Sequence, residues 1–211
     1  MNKTYKLLSL LLSYPDEEIY ELVHDAESVL VEDHLLNLDA VHRVSDFCNY
    51  FSSRTLTEWQ EHYVQLFDYS RSVSLHLFEH LHGDSKDRGQ AMIDLIRFYE
   101  EEGYSLTKSE LPDYLPVFLE FLSLNTPEKA ATLLADVINI IGVIHHKLVA
   151  KENPFRHLLY AVMSLSDVKA DETKITMLSS KMTEVNLDEA YEEEPITFGC
   201  QNSPEYKQET R

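Results

Sequence analysis

The stretch Ser74–Gln90, SLHLFEHLHGDSKDRGQ, sets three histidines beside a loop rich in charge and hydroxyl groups. His76 and His80 are four residues apart and share one face of a helix, and His82 can approach them if the helix loosens at Gly83; such a set can hold zinc. The helical metalloprotease pattern, however, requires a glutamate directly after its first histidine as general base, and Leu77 stands there. The same histidines also suit a helix C-terminus, where the dipole favours imidazolium. The following GDSKDRGQ lacks the glycine spacing and the Gly-Lys-Ser/Thr ending of a phosphate loop, and it follows a helical pattern rather than a strand. Ser85 with Asp84, Asp87 and His82 supplies the residue types of nucleophilic catalysis, but adjacency in sequence does not assemble a triad. Asp87 and Arg88 are better suited to fixing the turn or meeting a partner. A metal-dependent hydrolase built on His76, His80 and His82 stands as the enzymatic alternative.

A second group lies in ELPDYLPVFLEF. The carboxylates Glu110, Asp113 and Glu120 alternate there with Leu111, Pro112, Tyr114, Leu115, Pro116 and Phe118. Acids at a helix start would complement its dipole. The mixture also fits a peptide groove, with an apolar floor and carboxylates that pair with Arg or Lys on a bound segment. Trp59, Tyr63, Phe67 and Tyr69 recur at helical spacing and read first as core. Tyr63, Phe67, His80, Asp87, Arg88, Glu110, Pro112, Asp113, Tyr114 and Leu115 are the candidate peptide-contacting set, with Asp113 and Tyr114 expected to face the bound segment.

Composition narrows the partner. The chain has 211 residues, 44% of them hydrophobic, enough for one buried core. Its formal charge of -19 repels nucleic acid, and a cationic peptide is attracted by the same field. Cys48 and Cys200 are far apart and in no Cys-x-x-Cys pair, which argues against a disulfide framework or a zinc site. The N-terminal MNKTYKLLSLLLSYPDEE imitates a signal peptide, but its apolar run is short and no small-residue cleavage site follows. No stretch approaches the ~20 apolar residues of a membrane span, so a soluble cytoplasmic chain with no membrane insertion is expected.

The elements that must position these residues are helical. Leu7, Leu8, Leu11 and Leu12 mark a first helix; Pro15-Asp16 ends it and opens a second through Ile19, Leu22, Val23, Val29 and Leu30. A third is predicted over Leu38–Ser52, and Thr55-Leu56-Thr57-Glu58 reads as a capping box before the next. Ala91, Met92, Leu95, Phe98 and Tyr99 give the stripe of a helix ended by Gly103, and Pro112 is placed in the first turn of another. The longest periodic segment runs from Pro127 to about Val149, and Phe155–Met163 forms the last helix. Residues 1–166 are read as one helical domain. Residues 167–211 are read as an acidic, flexible tail carrying Glu192–Glu194 and a small apolar island at Pro195–Gly199.

YVQLFDYSRSVSLHLFEHLHGDSKDRGQAMIDL followed by ELPDYLPVFLEFLS, between an N-terminal LLSYP and a tail motif EEEPITFG, resembles the NarJ family of nitrate reductase assembly chaperones, the delta subunit. Lys86 stands where the family's SRDRG element carries arginine, and Tyr191 where a tryptophan often precedes the tail motif. The resemblance implies an all-α, single-domain bundle of the TorD/DmsD-like type, with no catalytic activity and no bound cofactor. It implies as partner the molybdenum-containing catalytic subunit of nitrate reductase, bound by its N-terminal segment and kept open for insertion of the molybdenum cofactor and an iron–sulfur cluster before membrane attachment. The wider class carries a Glu-Pro-x-Asp-His-like signature in its peptide site. Glu110, Pro112, Asp113 and Tyr114 occupy the similar stretch here, with the proline displaced and tyrosine in place of histidine.

Overall fold

The computed structural model describes residues 1–82, 85–106 and 110–183, which form helices joined by short connections. The only β-type pairing among the described residues is an isolated antiparallel bridge between His76 and Tyr114, so the expected all-α class is the observed one. Helix α1 (Lys3–Leu12) buries Tyr5, Leu7, Leu8, Leu11 and Leu12. The segment predicted as one helix after Pro15 is two. In α2 (Glu17–Leu22) the Asp16 side chain caps by accepting the Ile19 N–H at 2.8 Å. α3 (Ala26–Asp33) stops at His34, a left-handed residue with φ 55°. α4 (Leu38–Ser52) has the predicted bounds, capped by Asn37, whose side chain accepts the Ala40 N–H at 2.9 Å.

α5 (Leu56–Tyr63) starts with the predicted capping box, in which Thr55 and Glu58 satisfy each other's backbone N–H. It runs into a widened π turn over Val64–Asp68, closed by the Tyr69 N–H donating to the Val64 carbonyl at 3.3 Å. α6 (Glu79–His82) is a single turn, and α7 (Asp87–Glu101) ends before Gly103, whose φ of 78° suits a residue without Cβ. Of the predicted stripe on α7 only Tyr99 is fully buried; Ala91, Met92, Leu95 and Phe98 are half-buried. α8 (Leu115–Ser123) carries Pro116, not Pro112, in its first turn, and Pro112 sits in the turn ahead of it. α1 lies along α8, and the Ser9 hydroxyl donates to the Pro116 carbonyl at 2.7 Å.

α9 (Pro127–Ala150) packs against α8 and against α10 (Arg156–Met163), which also covers α4. By length and composition α9, a 24-residue helix whose most apolar 18-residue window has a mean hydropathy of 1.5, could cross a membrane, which corrects the expectation that no such stretch exists. Its polar residues interrupt the run in sequence while its apolar face, including Leu134, Ile141, Ile144 and Leu148, is buried in the core. The apolar pattern fades after Asp167, yet one more helix follows, α11 (Glu172–Thr183), inside the segment expected to be flexible. It docks on α9 at Gly142, where an added Cβ would come within 2.7 Å of Ile175 Cδ1, and the Asp171 N–H donates to Asn139 Oδ1 at 2.8 Å. A glycine inside a helix is unfavourable on its own, and this close approach accounts for it. Gly83, Asp84, Glu192–Glu194, the Pro195–Gly199 island and Cys200 lie outside the described residues.

Candidate functional site

Beyond the π turn, a 3-10 turn at Arg71–Val73 leads into the segment Ser74–Phe78, which pairs with Leu111–Leu115 through the single bridge between His76 and Tyr114 before turning into α6. Two backbone bonds clamp the segments together. The Leu77 N–H donates to the Asp113 carbonyl, and the Leu115 N–H to the Leu75 carbonyl, each at 2.9 Å. The Asp113 side chain is fully buried behind this clamp. Its carboxylate accepts the Phe78 N–H at 3.0 Å and meets His76 Nδ1 at 3.3 Å. Arg88, in the first turn of α7, stands 4.0 Å from the same carboxylate and 3.3 Å from Glu79 Oε1. The ELPDY stretch and the histidine stretch are therefore two halves of one structure.

In front of the clamp is a cavity of about 320 Å³ lined by Tyr14, Tyr63, Phe67, Asp68, Ser74, Leu75, His76 and Tyr114. A second recess of about 320 Å³, lined by Thr57, Gln60, Glu61, Val64, Gln65 and Tyr69, shares Tyr14 with the first. The two make a groove that crosses the π turn, where the wider turn changes the helical phase and presents both Phe67 and Asp68 to the cavity. Tyr63 donates its hydroxyl proton to the Leu12 carbonyl at 3.0 Å, so the 2.6 Å bond between the two phenols is donated by Tyr114. Burial pushes the Tyr63 phenol far up and the Tyr114 phenol up to about 12, so both stay neutral. Tyr14 meets Tyr63 edge-on at 5.7 Å and is half-exposed, which puts an aromatic with a polar tip at the junction of the two recesses. Asp68 and Glu61 add exposed carboxylates to an otherwise aromatic surface. The arrangement suits a peptide with apolar anchors and a cationic residue.

The three histidines do different jobs. His80 is buried and its Nε2–H donates to the Ser74 carbonyl at 2.8 Å. The His76 ring lies tilted by 31° against the Tyr114 ring at 5.1 Å, and His82 meets the Phe78 ring edge-on at 5.7 Å. Among the described residues no group of three His, Cys, Asp or Glu side chains is placed to hold a metal ion. Burial lowers the His80 pKa from its ordinary value. The unfolded chain then binds more protons than the folded one once pH drops below about 6.5, so stability is full above that value and declines as pH falls through it. The urea midpoint is expected to fall between about pH 7.5 and 5.5. His80→Gln, whose amide can still donate to Ser74, is expected to show a shallower fall, and an equal slope would place the effect at other groups.

Of the predicted contact residues, Tyr63, Phe67 and Tyr114 line the groove. His80, Pro112, Asp113 and Leu115 are buried and frame it from behind. Tyr99 donates its hydroxyl to the Pro112 carbonyl at 2.9 Å, and Leu115 is fully buried in the core. Asp113, expected to face a bound segment, is 0% exposed here and lies behind the groove wall, where the Phe78 N–H and His76 compensate the cost of burying its charge. Arg88 is half-buried on Glu79, and exposed Asp87 holds the turn by accepting the Ser85 hydroxyl at 3.1 Å. Glu110 is exposed but does not line the groove. Tyr14, Asp68, Ser74, Leu75 and His76 line it and were not in the predicted set. The signal for Tyr14 was available, since a tyrosine beside Pro15 just past a helix end is held outward rather than in a helical stripe.

The family model described as nitrate reductase delta subunit matches residues 24–145. The probable nitrate reductase molybdenum cofactor assembly chaperone NarW of Escherichia coli K12 is 34% identical over 94% of this chain and 87% of its own length. NarJ of the same strain, a nitrate reductase molybdenum cofactor assembly chaperone, is 32% identical over 93% of this chain and 87% of its own. A probable NarJ of Bacillus subtilis is 28% identical over 76% of this chain. The crystal structure of a putative redox enzyme maturation protein from Archaeoglobus fulgidus matches the fold with a TM-score of 0.57 at 24% identity, covering 77% of this chain and 91% of that one. With a family model matching more than half of its length and relatives that are assembly factors rather than catalysts, the chain belongs to the NarJ family of nitrate reductase delta-subunit chaperones.

Proposed function

We propose that this chaperone serves a respiratory nitrate reductase in the cytoplasm by binding the N-terminal segment of the molybdenum-containing catalytic subunit in the tyrosine-lined groove. Holding that segment keeps the apoenzyme open for insertion of the molybdenum cofactor and an iron–sulfur cluster, and delays its attachment to the membrane. The observation that carries this reading is the groove itself, with Tyr14, Tyr63, Phe67 and Tyr114 around a cavity of about 320 Å³ and Asp68 beside them. Aromatic anchors supply most of the affinity at such a surface, whereas the excess of 37 acidic over 18 basic residues speeds encounter with a cationic segment and makes it salt-sensitive.

Titration calorimetry with a synthetic peptide from the client's N-terminus tests the proposal. Tyr14→Ala is expected to weaken binding about thirtyfold, equivalent to ~2 kcal/mol for a central aromatic anchor. Because Tyr14 is 49% exposed, its unfolding free energy should change by less than ~1 kcal/mol. Absence of binding heat with the unaltered protein, or an unaltered affinity in Tyr14→Ala, would move the client to another surface.

A further inference from the structure

Away from the groove, α4, α9 and α10 bring together a group of cationic and titratable side chains. Arg43 lies with its guanidinium 4.1 Å over the Tyr160 ring, and the His145 ring stands 6.3 Å from the same tyrosine. Arg43, Arg156, His146 and His157 are all close enough to His145 to oppose its protonation. His42 joins them beside Asp39. Four of the ten histidines and two arginines thus share one face. The acids acting there are Asp39, which accepts from Arg43 Nε at 3.0 Å and bonds the Tyr160 hydroxyl, and Asp46, which acts on His157. His42 and His146 are exposed, and Arg43, His145, Arg156 and His157 are half-exposed, so the group is open to a ligand.

We infer that this face is the docking surface for the acidic stretch Glu192–Glu194 of the chain's own C-terminal segment. This goes beyond the client groove and does not depend on it. Charge complementarity selects the occupant. On a chain of net charge -19, a face where two arginines and four histidines gather beside Asp39 and Asp46 attracts a run of three glutamates, with Asp188 and Glu189 just before it. The connection is long enough. α11 ends at Thr183 after docking on α9, the helix that carries His145 and His146. The chain from there to Glu194 can extend to roughly 36 Å at ~3.3 Å per residue, whereas His146 lies one helical turn past Gly142, about 6 Å along the axis.

The two arginines balance the two aspartates, so the pH-dependent part of the attraction comes from His145 and His157. Burial first, then the neighbouring cations, holds His145 and His157 below the usual imidazole value, and a docked carboxylate raises them again. Docking therefore takes up protons, tightening as pH falls through the imidazole range and loosening above it.

The test uses the full-length chain. Cys48 is buried with its thiol pushed up to about 12, so a thiol-reactive nitroxide attaches to Cys200, six residues beyond Glu194. At about pH 6 the label is expected to broaden the backbone amide resonances of 42–46, 145–146 and 156–160. Most of that broadening should disappear at about pH 8, in about 1 M salt, and in a variant combining Glu192→Gln, Glu193→Gln and Glu194→Gln. Arg156→Gln should reduce it as well. Broadening that spares this face, or that survives the triple tail substitution unchanged, overturns the inference. The helical circular dichroism of the triple tail variant, expected to match that of the unaltered chain, separates loss of docking from loss of folding.

Discussion

Replacing Phe155 by alanine is expected to destabilise the protein by about 3–5 kcal/mol, the range for removing a fully buried phenylalanine. Phe155 is 0% exposed and is the ring around which the aromatic core is assembled. Phe67 lies at 4.9 Å, Phe47 at 5.0 Å, Phe51 at 5.6 Å, Tyr63 at 5.9 Å and His62 at 6.1 Å. Neighbours drawn from α4, α5 and the π turn cannot all collapse into the vacated space, so most of the cavity penalty is retained. The effect does not stop at stability, because Tyr63 and Phe67 also line the groove. Urea titration should show the lowered midpoint, and client affinity should fall in the portion that remains folded. Phe155→Leu keeps most of the volume and is expected to lose less than half as much. A loss below ~1 kcal/mol in Phe155→Ala would mean that the ring cluster repacks and does not brace the groove.

That coupling explains what could and could not be read in the sequence. Helices with their own caps were legible: Leu38–Ser52 behind Asn37, and the capping box at Thr55, depend on neighbours three or four residues away. The break at Val23–Asp25 was missed because Ile19, Leu22, Val23, Val29 and Leu30 keep a plausible helical stripe across it. The start of α8 was placed at Pro112 because proline suits a first turn wherever it occurs, and only the bridge to His76 shows that the 111–114 segment is spent on another pairing. α11 was missed because its helix is weakly amphipathic and is held by a notch at Gly142 that belongs to another element. The site was legible as residue types but not as roles. The same spacing that marks Tyr63 and Phe67 as core also describes a groove wall, and here they are both. Asp68 enters through a π turn, which a search at a 3.6-residue period cannot register.

Asp113 gives the sharpest separation between a residue that touches a client and one that holds the touching residues in place. Asp113→Ala is expected to cost about 3 kcal/mol, because it leaves the Phe78 N–H without its acceptor and removes a buried negative charge that Arg88 and His76 approach. Asp113→Asn preserves the shape and one acceptor and should cost about half as much, since only the charge and one lone-pair partner are lost. The backbone bonds through the Asp113 carbonyl and the Leu115 N–H survive both substitutions, so the helical circular dichroism signal should persist at low temperature. The clamp fixes Leu75, His76 and Tyr114 as three walls of the cavity, so client binding is expected to weaken together with stability. It should recover as the Ala, Asn and unaltered side chains restore the side-chain bonds to Phe78 and His76 in that order. Tyr14→Ala should follow a different line, losing affinity while the unfolding midpoint stays put. If Asp113→Ala loses affinity with no loss of stability, Asp113 touches the client directly and its burial behind the clamp does not describe the bound state.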